Sequence, residues 1–127
     1  MNGQSITIIL DFDGTVVKHE FPEIGADIGA VPILKKLIAN GHKLILFTMR
    51  SGKYLQDAVE WFENNDIKLY GIQRNPEQDD WTTSPKAFGD LIIDDTALGV
   101  PLVNSPFARS YIDWREVEKM LKSKYLI

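Results

Sequence analysis

Ile6-Thr7-Ile8-Ile9-Leu10-Asp11-Phe12-Asp13-Gly14-Thr15 decides how this chain reads. A short β-branched, apolar run ends abruptly in two carboxylates one residue apart. Apolar character without alternation is the pattern of a strand covered on both faces, as in a parallel sheet. The acids then fall at the strand's carboxyl end, where open α/β sheets gather ligands. Residues i and i+2 of an extended strand point the same way, although a turn beginning at Gly14 changes that for Asp13. Two neighbouring carboxylates repel each other and resist desolvation. A divalent cation relieves both costs, and hard oxygen donors suit magnesium. Taken alone, Asp-Phe-Asp-Gly also has the composition of a simple turn, so the segment is weighed with its surroundings.

Working outward, the same handover recurs. Residues 43–47 form a second apolar run that ends in Thr48-Met49-Arg50-Ser51, and residues 91–93 form another that ends in Asp94-Asp95. Between the first two, residues 31–40 read as a helix. Val31, Leu34, Leu37 and Ile38 share a face, Pro32 suits the first turn, and Asn40-Gly41 is a stop. Ser51 is placed to cap a second helix, with Leu55, Ala58, Val59 and Phe62 at helical spacing up to about residue 65. Residues 67–70 read as a third, shorter strand and residues 101–103 as a fifth. Residues 104–112 read as loop, with Arg109 inside it. Asp113-Trp114-Arg115-Glu116 has the form of a capping box that opens a last helix through Val117, Met120 and Leu121.

Two stretches lack a period. Residues 16–29 carry Pro22, Gly25 and Gly29, and their first part forms a short extended flap beside the acids. His19 lies there, and a lone surface histidine is more often inert than functional. Residues 71–85 form the longest aperiodic stretch, with Glu77, Asp79, Asp80 and Trp81. Loops of that length are often functional. Arg74 and Trp81 are candidate substrate contacts, against the plainer reading of a solvated acidic loop. Strand and helix otherwise alternate, which is the signature of a mainly parallel α/β sheet, here of about five strands, with helices on both faces.

Composition bounds the function. The 127 residues fit a single domain with a real core. A net charge of −4 argues against nonspecific nucleic-acid binding, which runs on basic patches. Without cysteine there are no disulfides and no thiolate metal sites, and two histidines make a histidine-rich zinc site a poor expectation. No segment is long enough to span a membrane and no signal-like run opens the chain, so a cytoplasmic protein is expected.

Asp11 with Asp13, Thr48, Lys86, and Asp94 with Asp95 occur in an order that resembles the haloacid dehalogenase superfamily of phosphohydrolases. Asp11-Phe12-Asp13-Gly14-Thr15 resembles the first motif of that superfamily, Thr48 the second, Lys86 the third, and Ile92-Ile93-Asp94-Asp95 the fourth. The resemblance spans nearly the whole chain. It implies a three-layer, Rossmann-like fold and Mg²⁺-dependent phosphoryl transfer through an aspartyl-phosphate. Asp11 is the implied nucleophile and Asp13 the implied general acid and base. The implied metal ligands are the Asp11 carboxylate, the Asp13 backbone carbonyl and the Asp94 carboxylate, with Asp95 in support. Thr48 and Lys86 are implied to bind phosphoryl oxygens, and Arg50 either grips phosphate or sits on the following helix.

Lys86 lies only eight positions before Asp94, so the third motif comes on a short connection rather than a full helix. The intervals that hold inserted cap domains in this superfamily are short here. The chain therefore resembles a capless member, open to a small phosphorylated substrate or to the exposed phosphate of a larger molecule, with oligomerisation left open. A phosphotransferase or mutase, and a non-catalytic phospho-ligand-binding domain, use the same side chains. A response-regulator receiver does too, but there the phosphorylated aspartate ends the third strand and the lysine ends the fifth.

Overall fold

The computed structural model describes residues 4–127. In chain order the elements are β1 (Thr7–Leu10), α1 (Ala30–Ala39), β2 (Lys43–Leu46), α2 (Gly52–Asn64), β3 (Gly71–Ile72), β4 (Leu91–Ile93), β5 (Leu102–Ser105), β6 (Ala108–Ile112) and α3 (Trp114–Ser123). The first four strands form a parallel sheet in the order β3-β2-β1-β4. It is a mixed α/β fold with a parallel sheet and three helices. Leu10 is level with Leu46 on one side and with Ile93 on the other, so three strands end together.

The crossovers explain where the helices go. The steps β1 to β2 and β2 to β3 move in the same direction across the sheet, and right-handed crossovers that step one way leave their helices on one face. Buried side chains of α1 (Ile33, Leu34, Leu37), α2 (Ala58, Phe62) and α3 (Val117, Leu121) accordingly join one core with Ile8, Leu10, Leu44, Leu46 and Ile93. Ile9 and Ile45, which point the other way, form a second, small cluster with Ala87 and Tyr70. The connection from β3 to β4 must return past β2 and β1, and it carries no helix. It covers the second face as irregular chain. Gly89 lies so close to the sheet that a Cβ there would sit 2.6 Å from Ile9 Cγ1. The helices thus pack on one face, not on both as the alternation of elements suggested.

Two strand expectations are corrected. The edge strand runs over Gly71–Ile72 rather than from residue 67, with the Tyr70 N–H bonded to the Leu44 carbonyl and Gly71 level with Ile45. The fifth strand does not join the main sheet. β5 and β6 pair antiparallel through a Pro106-Phe107 turn, so residues 104–112 are largely strand rather than loop. The eight residues between β4 and β5 are too few for a parallel crossover, which takes a dozen or more, whereas a hairpin closes through two.

The helix ends follow the sequence with two exceptions. Asp113 accepts hydrogen bonds from the Arg115 and Glu116 N–H groups at the start of α3. Glu116 does not reach back to complete the box and pairs with Lys119 instead. Ser51 holds the N-cap position of α2, but its hydroxyl makes no capping bond. Among the described residues no helix is long and apolar enough to cross a membrane.

Trp114 ties α3 to the sheet. Its ring is buried, and its indole N–H donates to the Thr15 carbonyl at 2.7 Å. Trp114→Phe removes the donor, leaves that buried carbonyl unpaired and opens a small cavity where the second ring stood. It is expected to cost about 1–3 kcal/mol in urea unfolding; a loss near zero would show that the bond contributes nothing net.

Candidate active site

A cleft of about 470 Å³ opens at the carboxyl ends of β1, β2 and β4, and Asp11, Asp13, His19, Thr48, Arg50, Asp94, Asp95 and Arg109 are among its lining residues. Its position follows from topology. The chain order reverses between β1 and β4, and the crevice outside such a switch point is where open parallel sheets hold ligands.

Asp11 follows β1 directly, and its N–H donates to the Ile93 carbonyl, so β1–β4 pairing runs to the rim of the cleft. Asp94 and Asp95 follow β4 directly. One carboxylate oxygen from each of Asp11, Asp94 and Asp95 falls within a 4.8 Å group. Thr15 locks this group. Its hydroxyl donates to Asp11 Oδ2 at 2.9 Å, with Asp95 Oδ1 3.4 Å away, and accepts the Asp95 N–H at 3.1 Å. The Thr96 N–H and hydroxyl both donate to Asp94 Oδ1. Burial, with a smaller contribution from the neighbouring Asp94 charge, raises the Asp11 pKa from its ordinary 3.8 to about 7. Three hard oxygen donors around a carboxylate held out of water fit a divalent cation.

Asp13 departs from this group. The turn at Gly14 directs its carboxylate to Arg50, whose Nε and Nη2 donate to both oxygens at 2.8 Å. The Arg50 guanidinium is 1% exposed. Its remaining N–H groups reach the carbonyls of Pro22, Glu23 and Tyr54. It also lies 5.1 Å from the ring centres of Phe12 and Phe21. All five donors of the fork are used within the chain. Arg50 therefore fastens the flap and the start of α2 to Asp13 and has no N–H left for a phosphate.

The flap brings His19 into the cleft, where its Nε2 lies 2.8 Å from Asp95 Oδ2. Gly14 makes room for it. Its φ is +77°, and a Cβ there would sit 1.9 Å from His19 Nε2 and 2.6 Å from Asp95 Oδ2. His19 thus lines the cleft, mostly buried against Asp95, rather than standing on the open surface.

Thr48, two residues beyond β2, faces the cleft. Its N–H and carbonyl are both held by the Gln73 side-chain amide, at 2.8 and 2.6 Å. The Gln73 N–H still pairs with the Leu46 carbonyl, and as the chain turns there, at φ 64°, its side-chain amide carries the edge pairing on to Thr48. Nothing in the sequence marked Gln73, because an amide mimicking a strand leaves no periodic signal.

Lys86 is not brought to the cleft. It is exposed and lines a separate hollow with Trp81, Thr82, Ser84 and Phe88 on the outer face of the sheet. The 71–85 stretch is organised by buried amides rather than loosely solvated. Gln78 accepts from the Phe88 N–H and donates to the Ser84 and Lys86 carbonyls, while Asn75 donates to the Phe88 carbonyl. Arg74 is engaged there with Asp79, Thr82 and Ser84. Arg109, left unassigned by the sequence, lines the cleft from β6.

No family model matches the chain, and no curated protein does. A solved structure of a conserved protein from Bacteroides thetaiotaomicron superposes with a TM-score of 0.78 at 36% sequence identity, over 95% of this chain and 93% of that one. This chain belongs to the same family as that conserved protein. The likeness carries fold and family, not a reaction.

The raised Asp11 pKa has a consequence for stability. The folded state holds this proton more tightly than the unfolded chain, so Asp11's contribution is full below about pH 4 and is lost as pH rises through about 7. In EDTA, Asp11→Asn should melt higher than wild type at pH 8, by about 5 °C or more, with the gap narrowing towards pH 5. A pH-independent gap in thermal scans would show that burial does not strain this carboxylate.

Proposed function

We propose that this protein is a magnesium-dependent phosphohydrolase acting on phosphate monoesters through an aspartyl-phosphate on Asp11. The observation that carries the proposal is the level ending of β1 and β4, which gathers carboxylate oxygens of Asp11, Asp94 and Asp95 at the switch point of a parallel sheet. The ordered motifs support it, as does Thr48 on the same rim. The finer, Rossmann-like reading of the sheet belongs to this proposal, with the outer helical layer reduced to irregular chain.

Asp11, Asp94, Asp95 and the Asp13 backbone carbonyl are the groups that would hold Mg²⁺, which supplies charge neutralisation between an anionic nucleophile and an anionic phosphoryl group. Asp11 attacks phosphorus in line with the ester oxygen, which leaves with a proton. The acyl phosphate is then hydrolysed by water, so one difficult displacement becomes two easier ones. Thr48 donates to a phosphoryl oxygen through its hydroxyl, and the Gln73 amide fixes the loop that presents it. Asp13 moves the proton in both halves, and Arg50 fixes the orientation of its carboxylate. Among the described residues no inserted cap covers the cleft, which leaves room for bulky esters.

One observation favours a second reading. Both Asp13 oxygens are bound by Arg50, and Lys86 lies outside the cleft, an arrangement that suits a domain that binds metal and phosphate without turnover. Hydrolysis of an aryl phosphate, with and without Mg²⁺, separates the two. The phosphatase is expected to turn over only with metal and to lose at least about a thousandfold in kcat in Asp11→Asn, as befits loss of a covalent nucleophile. Activity surviving intact in Asp11→Asn would sink the nucleophile assignment. Metal and phosphate binding without turnover across a broad ester panel would favour the binding domain.

A further inference from the structure

We infer that Arg109, on the β5–β6 hairpin, is the cation that binds the phosphoryl oxygens, in the place that sequence order gives to Lys86. The inference rests on the proposed phosphate chemistry and concerns which side chain serves it.

The charges in the cleft leave little choice. Its lining carries four carboxylates, Asp11, Asp13, Asp94 and Asp95, and a phosphate monoester brings further negative charge. One divalent cation among the three clustered carboxylates leaves no surplus positive charge for the phosphoryl group. Arg50 is consumed by Asp13 and three backbone carbonyls. His19 is engaged with Asp95. Lys86 lines the outer-face hollow. Lys18 lies over the Tyr111 ring and lines a different cavity, beside α1 and α3. Among the described residues, Arg109 is the one cationic side chain that lines the cleft without an ion pair or hydrogen-bond partner.

The hairpin is built to present it. Ile112 N–H donates to the Gly14 carbonyl, which anchors the base of β6 to the turn that follows Asp13. Ser110 Oγ donates to Asn104 Oδ1 and braces the two strands beside Arg109. Arg109 thus stands three residues from a fixed point on the acid-bearing turn. Its planar fork places two parallel N–H groups on two phosphoryl oxygens, which a lysine ammonium does not do. This also accounts for a hairpin where the chain could have ended the sheet at β4. What the hairpin brings to the cleft lining is Arg109, its unpaired positive charge.

The test uses the full chain with Mg²⁺ and three variants, Arg109→Gln, Arg109→Lys and Lys86→Gln. Inorganic phosphate affinity by calorimetry is read beside kcat/KM on an aryl phosphate. Arg109→Gln is expected to weaken phosphate binding about tenfold to a hundredfold, the range for a lost charge-assisted pair. Arg109→Lys should recover part of that loss, and Lys86→Gln should stay within about twofold of wild type. Thermal melting and Mg²⁺ affinity should be unchanged in Arg109→Gln, since the side chain is exposed and makes no internal bond. Unaltered phosphate affinity in Arg109→Gln, or the large loss appearing in Lys86→Gln instead, overturns the inference. If wild type binds phosphate through Arg109 without turnover across a broad ester panel, the inference stands and the phosphatase reading falls. If wild type neither binds phosphate nor turns over, both fall.

Discussion

Three parallel strands that end at one level set the terms for the rest of the molecule. The register places Leu10 beside both Leu46 and Ile93, so the residues following β1 and β4 emerge together. Those residues are acids, and the sheet forces their charges into one small volume. Lost hydration, and to a smaller degree repulsion from Asp94, work against this arrangement and raise the pKa of Asp11 to about 7. The β1–β4 ladder, the Thr15 hydroxyl and the Trp114 bond to the Thr15 carbonyl hold the carboxylates against both effects. The scaffold thus holds together a group of carboxylates that their own electrostatics would drive apart.

The neighbouring acid has the opposite solution. Asp13 lies only two residues from Asp11, yet it is neutralised by a buried guanidinium rather than left for a metal. The difference originates at Gly14, whose positive φ turns the chain and whose missing side chain admits His19 and Asp95. Arg50 then converts Asp13 from a free acid into a junction. Through it the flap, the start of α2 and the end of β1 become one unit. Loss of either partner would leave the other charge poorly solvated, which is the costly way to break a buried pair.

The sequence disclosed what is local and periodic. The apolar runs of β1, β2 and β4, the spacing in α1 and α2, and the Asp113 cap of α3 each carry their signal within a few residues, and the structure follows them. So do Asp11, Thr48, Asp94 and Asp95, because a polar residue after a buried strand has only one place to go. What could not be read depends on distant partners. Arg50 was ambiguous because its acceptors at Pro22, Glu23 and Tyr54 are carbonyls, which no sequence pattern marks. The β5–β6 hairpin was hidden because Ala108-Arg109-Ser110 is mostly exposed and shows no apolar alternation. Lys86 had the right order for the cleft, but order along the chain does not fix which face of the sheet a connection crosses.

That last point separates composition from geometry. The return from β3 to β4 is the one crossover that runs against the others, and handedness sends it to the face opposite the helices. A helix there would bury that face and fix the direction of each side chain along it. Irregular chain instead lets Gln78 and Asn75 decide, and their bonds to the Ser84, Lys86 and Phe88 backbone fold the segment onto itself. Lys86 is carried outward with it, and Phe88 and Ile92 are left partly open to solvent. The cleft must then draw its positive charge from elsewhere. The hairpin after β4 is anchored beside the acid-bearing turn through Ile112 and Gly14, and it carries Arg109 into the lining. A connection that turns Lys86 to the outer face and a hairpin that turns Arg109 into the cleft together set the charge around the same carboxylates.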